Sequence, residues 1–154
     1  MVNQIHSGFD LIAGQAIDLE ESLPTDHTYT GITCFGTAGE NLVFGDLVYK
    51  KAADGEWYKA DANAEDSTRP MLALVCETIN GAASGILMLI GFMRDDSAFA
   101  LTDGEPAWVS HTAVGGVTST APLTGDFARK VGFGCDAGEN IIWFCPDHTV
   151  IEVA

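Results

Sequence analysis

Between Gly134 and His148 the sequence reads GCDAGENIIWFCPDH, which crowds Cys135, Asp136, Glu139, Cys145, Asp147 and His148 into one short stretch. Thiols, carboxylates and an imidazole are the donor types of a zinc centre or a redox pair. Their spacing argues against both. If Asp136 to Glu139 is the loop of a hairpin, Cys135 lies beside Asn140 at the turn and Cys145 lies opposite Lys130. At ~3.3 Å per residue the two thiols then stand roughly 17 Å apart. A disulfide needs Cα atoms within about 7 Å, and zinc holds its sulfurs at ~2.3 Å. The short C-x-x-C knuckle of zinc sites is also missing. Cys145, Asp147 and His148 remain as a local group, read as a strand end and turn rather than a metal site. The stretch predicts a hairpin, with no metal and no cofactor.

Other reactive residues are more dispersed. Asp95, Asp96, Asp103 and Glu105 fall within RDDSAFALTDGE, but the D-x-D-x-D-G loop that wraps calcium is absent, so a solvated acidic loop is expected. GAASG, Gly81 to Gly85, displaces Ser84 from the centre of a nucleophile elbow. His6, His27, His111 and His148 are scattered, and none belongs to an H-E-x-x-H pair. No phosphate-cradling loop or dinucleotide fingerprint occurs. A hydrolase would need His111 or His148 to meet a carboxylate in a cleft. No catalytic residue is assigned, and the chain is expected not to be an enzyme.

Trp57, Tyr58, Trp108 and Trp143 could stack on sugar rings. Trp143 sits amid Ile141, Ile142 and Phe144 and is expected in the core. Trp57 and Tyr58 follow a turn on opposite faces of their strand, so one of them is the candidate glycan platform.

The elements that must position these residues are short strands. From Thr33 onward, turn signals recur every eight to twelve residues, the rhythm of an all-β domain. NLVFGDLVYKK and EWYKADA form a hairpin with Asp54-Gly55 as the positive-φ turn. PMLALVCETI and SGILMLIGFM follow, with Asn80-Gly81 repeating the signal. In the first of these, Leu72, Leu74 and Cys76 alternate with Met71, Ala73 and Val75, so both faces are apolar and both need a cover. In so small a chain a second subunit can supply one cover. No segment shows sustained helical periodicity. AGENLVF, from Ala38, recurs as AGENIIWF, from Ala137, through shared turn chemistry rather than duplication.

Residues 1–33 differ in texture. Ile5, Phe9, Leu11, Ile12, Ile17, Leu19 and Leu23 lack a steady period and are broken by Gly8, Gly14 and Pro24. They read as an extended N-terminal arm or as an edge strand of the same domain, with residues 34–154 forming the β domain. The first residues have no basic segment followed by a long apolar run, so a signal peptide is not expected. The apolar region from Met71 to Met93 is interrupted and does not make a continuous membrane span.

Size and charge narrow the partners. The chain has 154 residues, of which 47% are hydrophobic, enough for a real core. Twenty-two acidic residues against seven basic ones give a net charge of −15. Such a surface repels phosphates, so neither nucleic acid nor an anionic membrane is an expected partner. Synthesis in a reducing cytoplasm makes Cys34, Cys76, Cys135 and Cys145 free thiols.

From about Gly39 to Asp147 the chain resembles a module of tailed-bacteriophage virion surface proteins. The resemblance rests on GDLVYKKAADGEWYKADA, RPMLALVCETINGAASGILMLIGFMRDD, PAWVSHTAVGGVTSTAP, GDFARKVGFG and IIWFCPD. It implies an all-β fold, an antiparallel β-barrel or sandwich of β-tulip-like form. It also implies a capsid decoration (cement) protein on the outer capsid surface of the virion, made in the host cytoplasm and bound as a homotrimer to the major capsid protein. A head-fibre or tail-fibre tip that binds a host receptor or glycan is the alternative. In that setting the arm residues Ile5, Phe9, Leu11 and Ile12 are expected to contact the capsid. Met71, Leu72, Leu74, Leu87, Leu89 and Trp108 are expected in the trimer interface or the core.

Overall fold

A computed structural model describes residues 13–14 and 16–154. The chain is all-β, with 40% of residues in strands and 3% in helix. Its strands are β1 (Thr28–Thr37), β2 (Leu47–Lys50), β3 (Trp57–Lys59), β4 (Leu72–Val75), β5 (Ser84–Arg94), β6 (Pro106–Val109), β7 (Val117–Thr118), β8 (Phe127–Ala128), β9 (Lys130–Asp136), β10 (Ile141–Phe144) and β11 (Ile151–Glu152). One helical turn, α1 (Glu65–Thr68), precedes β4. The main antiparallel sheet runs β3-β2-β4-β5-β10-β9-β6-β7 and curls strongly into a half-barrel. A small second sheet pairs β11 with β8.

β5 is the keel. One of its edges is taken along its whole length by β1, from Thr28 opposite Arg94 to Thr37 opposite Ser84. The other edge is shared between two strands. β4 pairs with Leu87 and Met88, whereas β10 pairs with Gly91 to Arg94. Between them Ile32 faces Ile90 while Thr33 faces Met88, leaving Leu89 as an extra residue on β5. A bulge of this kind bends a strand and increases its twist. β4 and β10 therefore splay apart, and the sheet forks at Leu89 and Ile90. Gly31 faces Gly91 just beyond the bulge, and a methyl on either would overlap the opposing backbone.

Both faces of β4 are buried, as its sequence requires, but the second cover comes from the same chain. Leu72 and Leu74 enter a large cluster with Met88, Met93, Phe99, Val109, Ile142 and Phe144. Ala73 and Val75 enter a smaller one with Ala38, Leu42, Val48, Trp57, Ile79 and Leu87. A parallel bridge between Ala38 and Trp57 brings the end of β1 back to β3 and encloses that smaller cluster. A neighbouring subunit is not needed to shield this strand.

Several turns depart from expectation. β2 and β3 do form the predicted hairpin, with Tyr49 opposite Tyr58. Its loop is longer than two residues, closed by Lys51 N–H on the Glu56 carbonyl, and Gly55 alone takes positive φ. Between β4 and β5 the left-handed residue is Ala82, not Gly81. That connection is no tight hairpin, because Leu42 pairs with Ile79 and Ala82 N–H donates to the Ala38 carbonyl. β1 starts at Thr28, so residues 28–33 belong to the sheet and not to an arm ending at residue 33.

Candidate assembly surface

The fork in the sheet opens onto a cleft of about 490 Å³. Met71 and Leu72 line it from one prong, Cys145, Pro146 and His148 from the other, and Leu89 and Ile90 from the apex. Arg129 ties the prongs together below. Its Nε donates to the Asp147 carbonyl at 2.7 Å, and Nη1 donates to the Thr68, Arg69 and Pro70 carbonyls ahead of β4. Only 4% of Arg129 is exposed. Burial pulls its guanidinium below the usual arginine range, and nearby Asp147 partly offsets this. Carbonyl oxygens carry partial charge only, so this cation is solvated by the backbone without being neutralised.

The side of β1 away from β5 is the second feature. Among the described residues, β5 covers one edge of the strand, and the other meets β3 only at the end, beside Ala38. TYTGITCFGT contains no charged residue and no proline, the devices that normally keep an open strand edge from pairing. Ile32 is 59% exposed and Phe35 is 75% exposed along it.

A cross-strand row runs over the sheet face opposite the core. Thr30, Phe92, Trp143, Phe133 and Pro106 stand opposite one another on β1, β5, β10, β9 and β6. Phe92 and Trp143 have ring centroids 4.6 Å apart, and Lys130 Nζ lies 4.8 Å from the Phe133 centroid. Trp143 is thus half-buried on the outside rather than in the core. Ile142 and Phe144 on either side take the core positions, and alternation turns Trp143 away.

Among the described residues one set has the donors for a metal, Asp26, His27 and Asp95, with ligand atoms within 4.8 Å of one another. His27 Nε2 stands 3.7 Å from Asp26 Oδ2 and 3.8 Å from Asp95 Oδ1. Asp95 Oδ1 already accepts from Ser97 N–H, Ser97 Oγ–H and Ala98 N–H. Asp26 Oδ1 accepts from Asp96 N–H, and that bond is the chief reason its carboxyl lies below the usual range. The arrangement fastens the segment before β1 to the loop after β5. Arg94 adds to it by donating to the Leu23 carbonyl and pairing with Asp96 and Glu139.

The residues singled out in the sequence separate into groups. Met71, Leu72 and Leu89 meet at the fork cleft, with Met71 half exposed. Leu74 and Leu87 are fully buried in the two clusters. Trp108 is half-buried beside Lys130 and Ile151 in a smaller cleft of its own. Ile5, Phe9, Leu11 and Ile12 lie outside the described residues. Trp57 is 2% exposed and offers no face for a sugar, while the half-buried Tyr58 hydroxyl donates to Asp54 Oδ2. The four cysteines are unbridged; Cys76 is buried, and desolvation pushes its thiol up to about 12. Cys145 N–H donates to the Val131 carbonyl, one residue from the expected partner Lys130. The shift arises at the turn, where Asp136 faces Ile141 in place of Cys135 facing Asn140; this moves the register by two residues, and Cys135, left as an extra residue between Asp136 and Gly134, takes one of them back. His148 borders the fork cleft, whereas His111 does not. No protein-family model and no curated protein matches the chain, so its function has to be argued from this surface.

Proposed function

We propose that this chain is a capsid decoration (cement) protein of a tailed bacteriophage, a homotrimer that fastens to the outer face of the major capsid protein shell. The observation that carries the reading is the uncharged edge of β1, left unpaired among the described residues, with Ile32 and Phe35 exposed on a chain of net charge −15. Like charge keeps copies apart elsewhere on the surface, so a neutral edge is where a neighbouring strand can approach without repulsion. Strand addition there supplies main-chain hydrogen bonds, and alternate side chains select the partner. A head-to-tail contact of this type generates a ring when the rotation closes, here after three copies.

Residues 1–14 of each copy would then reach the coat protein, with Ile5, Phe9, Leu11 and Ile12 as anchors. Three linked arms bind far more durably than one, because each later contact is made at high effective concentration. The work done is mechanical, holding coat subunits together, and no bond is made or broken.

The test is the mass of the purified protein in solution, followed by sedimentation with empty phage heads. A trimer that coats heads is expected, and removal of residues 2–14 should leave the trimer but abolish coating. A monomer that ignores heads would overturn the reading.

A further inference from the structure

The fork cleft combines features that a passive gap in a sheet lacks. Its walls are aliphatic, from Met71, Leu72, Leu89, Ile90, Pro70 and Pro146, yet its floor holds a buried guanidinium. Arg129 spends Nε and Nη1 on backbone carbonyls, and Nη2 has no hydrogen-bond partner among the described residues. No carboxylate of the described residues lies within ion-pair distance of it, although the chain has 22 acidic residues. Arg69 and His148 also line the cleft. A cationic floor under apolar walls is complementary to a carboxylate on an aliphatic body.

We propose that the fork cleft is a binding site for an acidic residue flanked by aliphatic residues on a partner polypeptide, its carboxylate received by Arg129 Nη2. The aliphatic neighbours pack between Met71 and Leu89, and the charge that the backbone carbonyls do not neutralise and that nearby Asp147 offsets only in part gains a direct partner. This inference rests on the reading of the chain as an assembly module, because it gives that module a second, side-chain-specific contact besides the strand edge. The cleft is open to solvent along the fork, which suits an extended segment entering from another protein.

Acetyl-Leu-Glu-Leu amide titrated into the whole protein is the direct probe, followed through the Arg129 Nε–H resonance and the Met71 methyl. Saturable shifts at both are expected in the millimolar range. Acetyl-Leu-Gln-Leu amide should bind about tenfold more weakly, having lost one charge-assisted hydrogen bond. Met71→Glu changes a half-exposed residue, keeps the fold, and places a competing carboxylate at the cleft, so it should abolish the shifts. Absence of shifts, equal binding of the glutamine peptide, undiminished binding to the folded Met71→Glu protein, or tighter binding of free hexanoate would each overturn the proposal. Shell coating is read separately. Coating without peptide binding sinks the cleft alone, and peptide binding by a monomer that coats nothing sinks the assembly reading alone.

Discussion

Arg129 Nε donates to the carbonyl oxygen of Asp147 at 2.7 Å, so the end of β10 is held by the side chain that also collects the carbonyls ahead of β4. Replacing Arg129 with Met should cost about 3 kcal/mol in urea unfolding, because several buried carbonyls lose a charged donor at once. Arg129→Lys should recover only a minor part, since an ammonium does not span two prongs as a planar fork does.

The exposed edge of β1 makes a separate prediction. The double substitution Ile32→Lys and Phe35→Lys should change folding stability by no more than about 0.5 kcal/mol, as expected of exposed positions. It should nevertheless dissociate the proposed trimer in analytical ultracentrifugation. An unaltered sedimentation coefficient would place the subunit contact elsewhere.

Gly31 and Gly91 test the bulge. Alanine at Gly31 would press on the Ile90 carbonyl and the Gly91 backbone. A loss of about 2 kcal/mol is expected, typical of overpacking. The same change at Gly55, where no atom is near but φ is positive, should be milder.

How much of this was legible beforehand depended on range. The β2–β3 and β9–β10 hairpins were readable because ADGE and DAGE act locally, each between apolar runs. The error at Cys145 came from the turn closing with Asp136 opposite Ile141, a displacement that the extra residue Cys135 then halves and that the composition of DAGE does not reveal. The two-sided burial of β4 was readable from Met71 to Cys76, but the identity of its second cover was not. That cover is Ala38, Leu42, Trp57 and Ile79, assembled from separate parts of the chain. Arg129 looked like an ordinary residue in FARKVGF, since its acceptors are set by where the sheet forks. His27 and Asp95 met only because β1 pairs with β5 over its full length.

Acid should loosen the segment before β1. Asp26 has a carboxyl lowered first by the Asp96 N–H bond, and only partly restored by desolvation. A folded-state value below the unfolded one adds stability above the unfolded carboxylate range, and that stability disappears as pH falls through the folded value. Amide exchange at His27 and Asp96 should therefore rise as pH drops below about 4, after correction for the intrinsic rate. Asp26→Asn should flatten this dependence.

Cys76 should resist alkylation. Its thiol, pushed up to about 12 by burial, holds almost no thiolate at pH 8. Iodoacetamide should leave Cys76 unmodified in the native protein and label it readily in urea, with mass spectrometry as the readout.

The double loyalty of β5 also sets an order of events during synthesis. A ribosome releases Ser84–Arg94 well before it has made Ile141–Phe144, so the stretch from Gly91 to Arg94 emerges with one flank bare. Until β10 arrives, a nascent chain presents an apolar ribbon to its neighbours on the polysome. Soluble yield should therefore improve when expression is slowed or a holding chaperone is supplied, since the first leaves fewer such ribbons exposed at once and the second covers them until the late strand arrives.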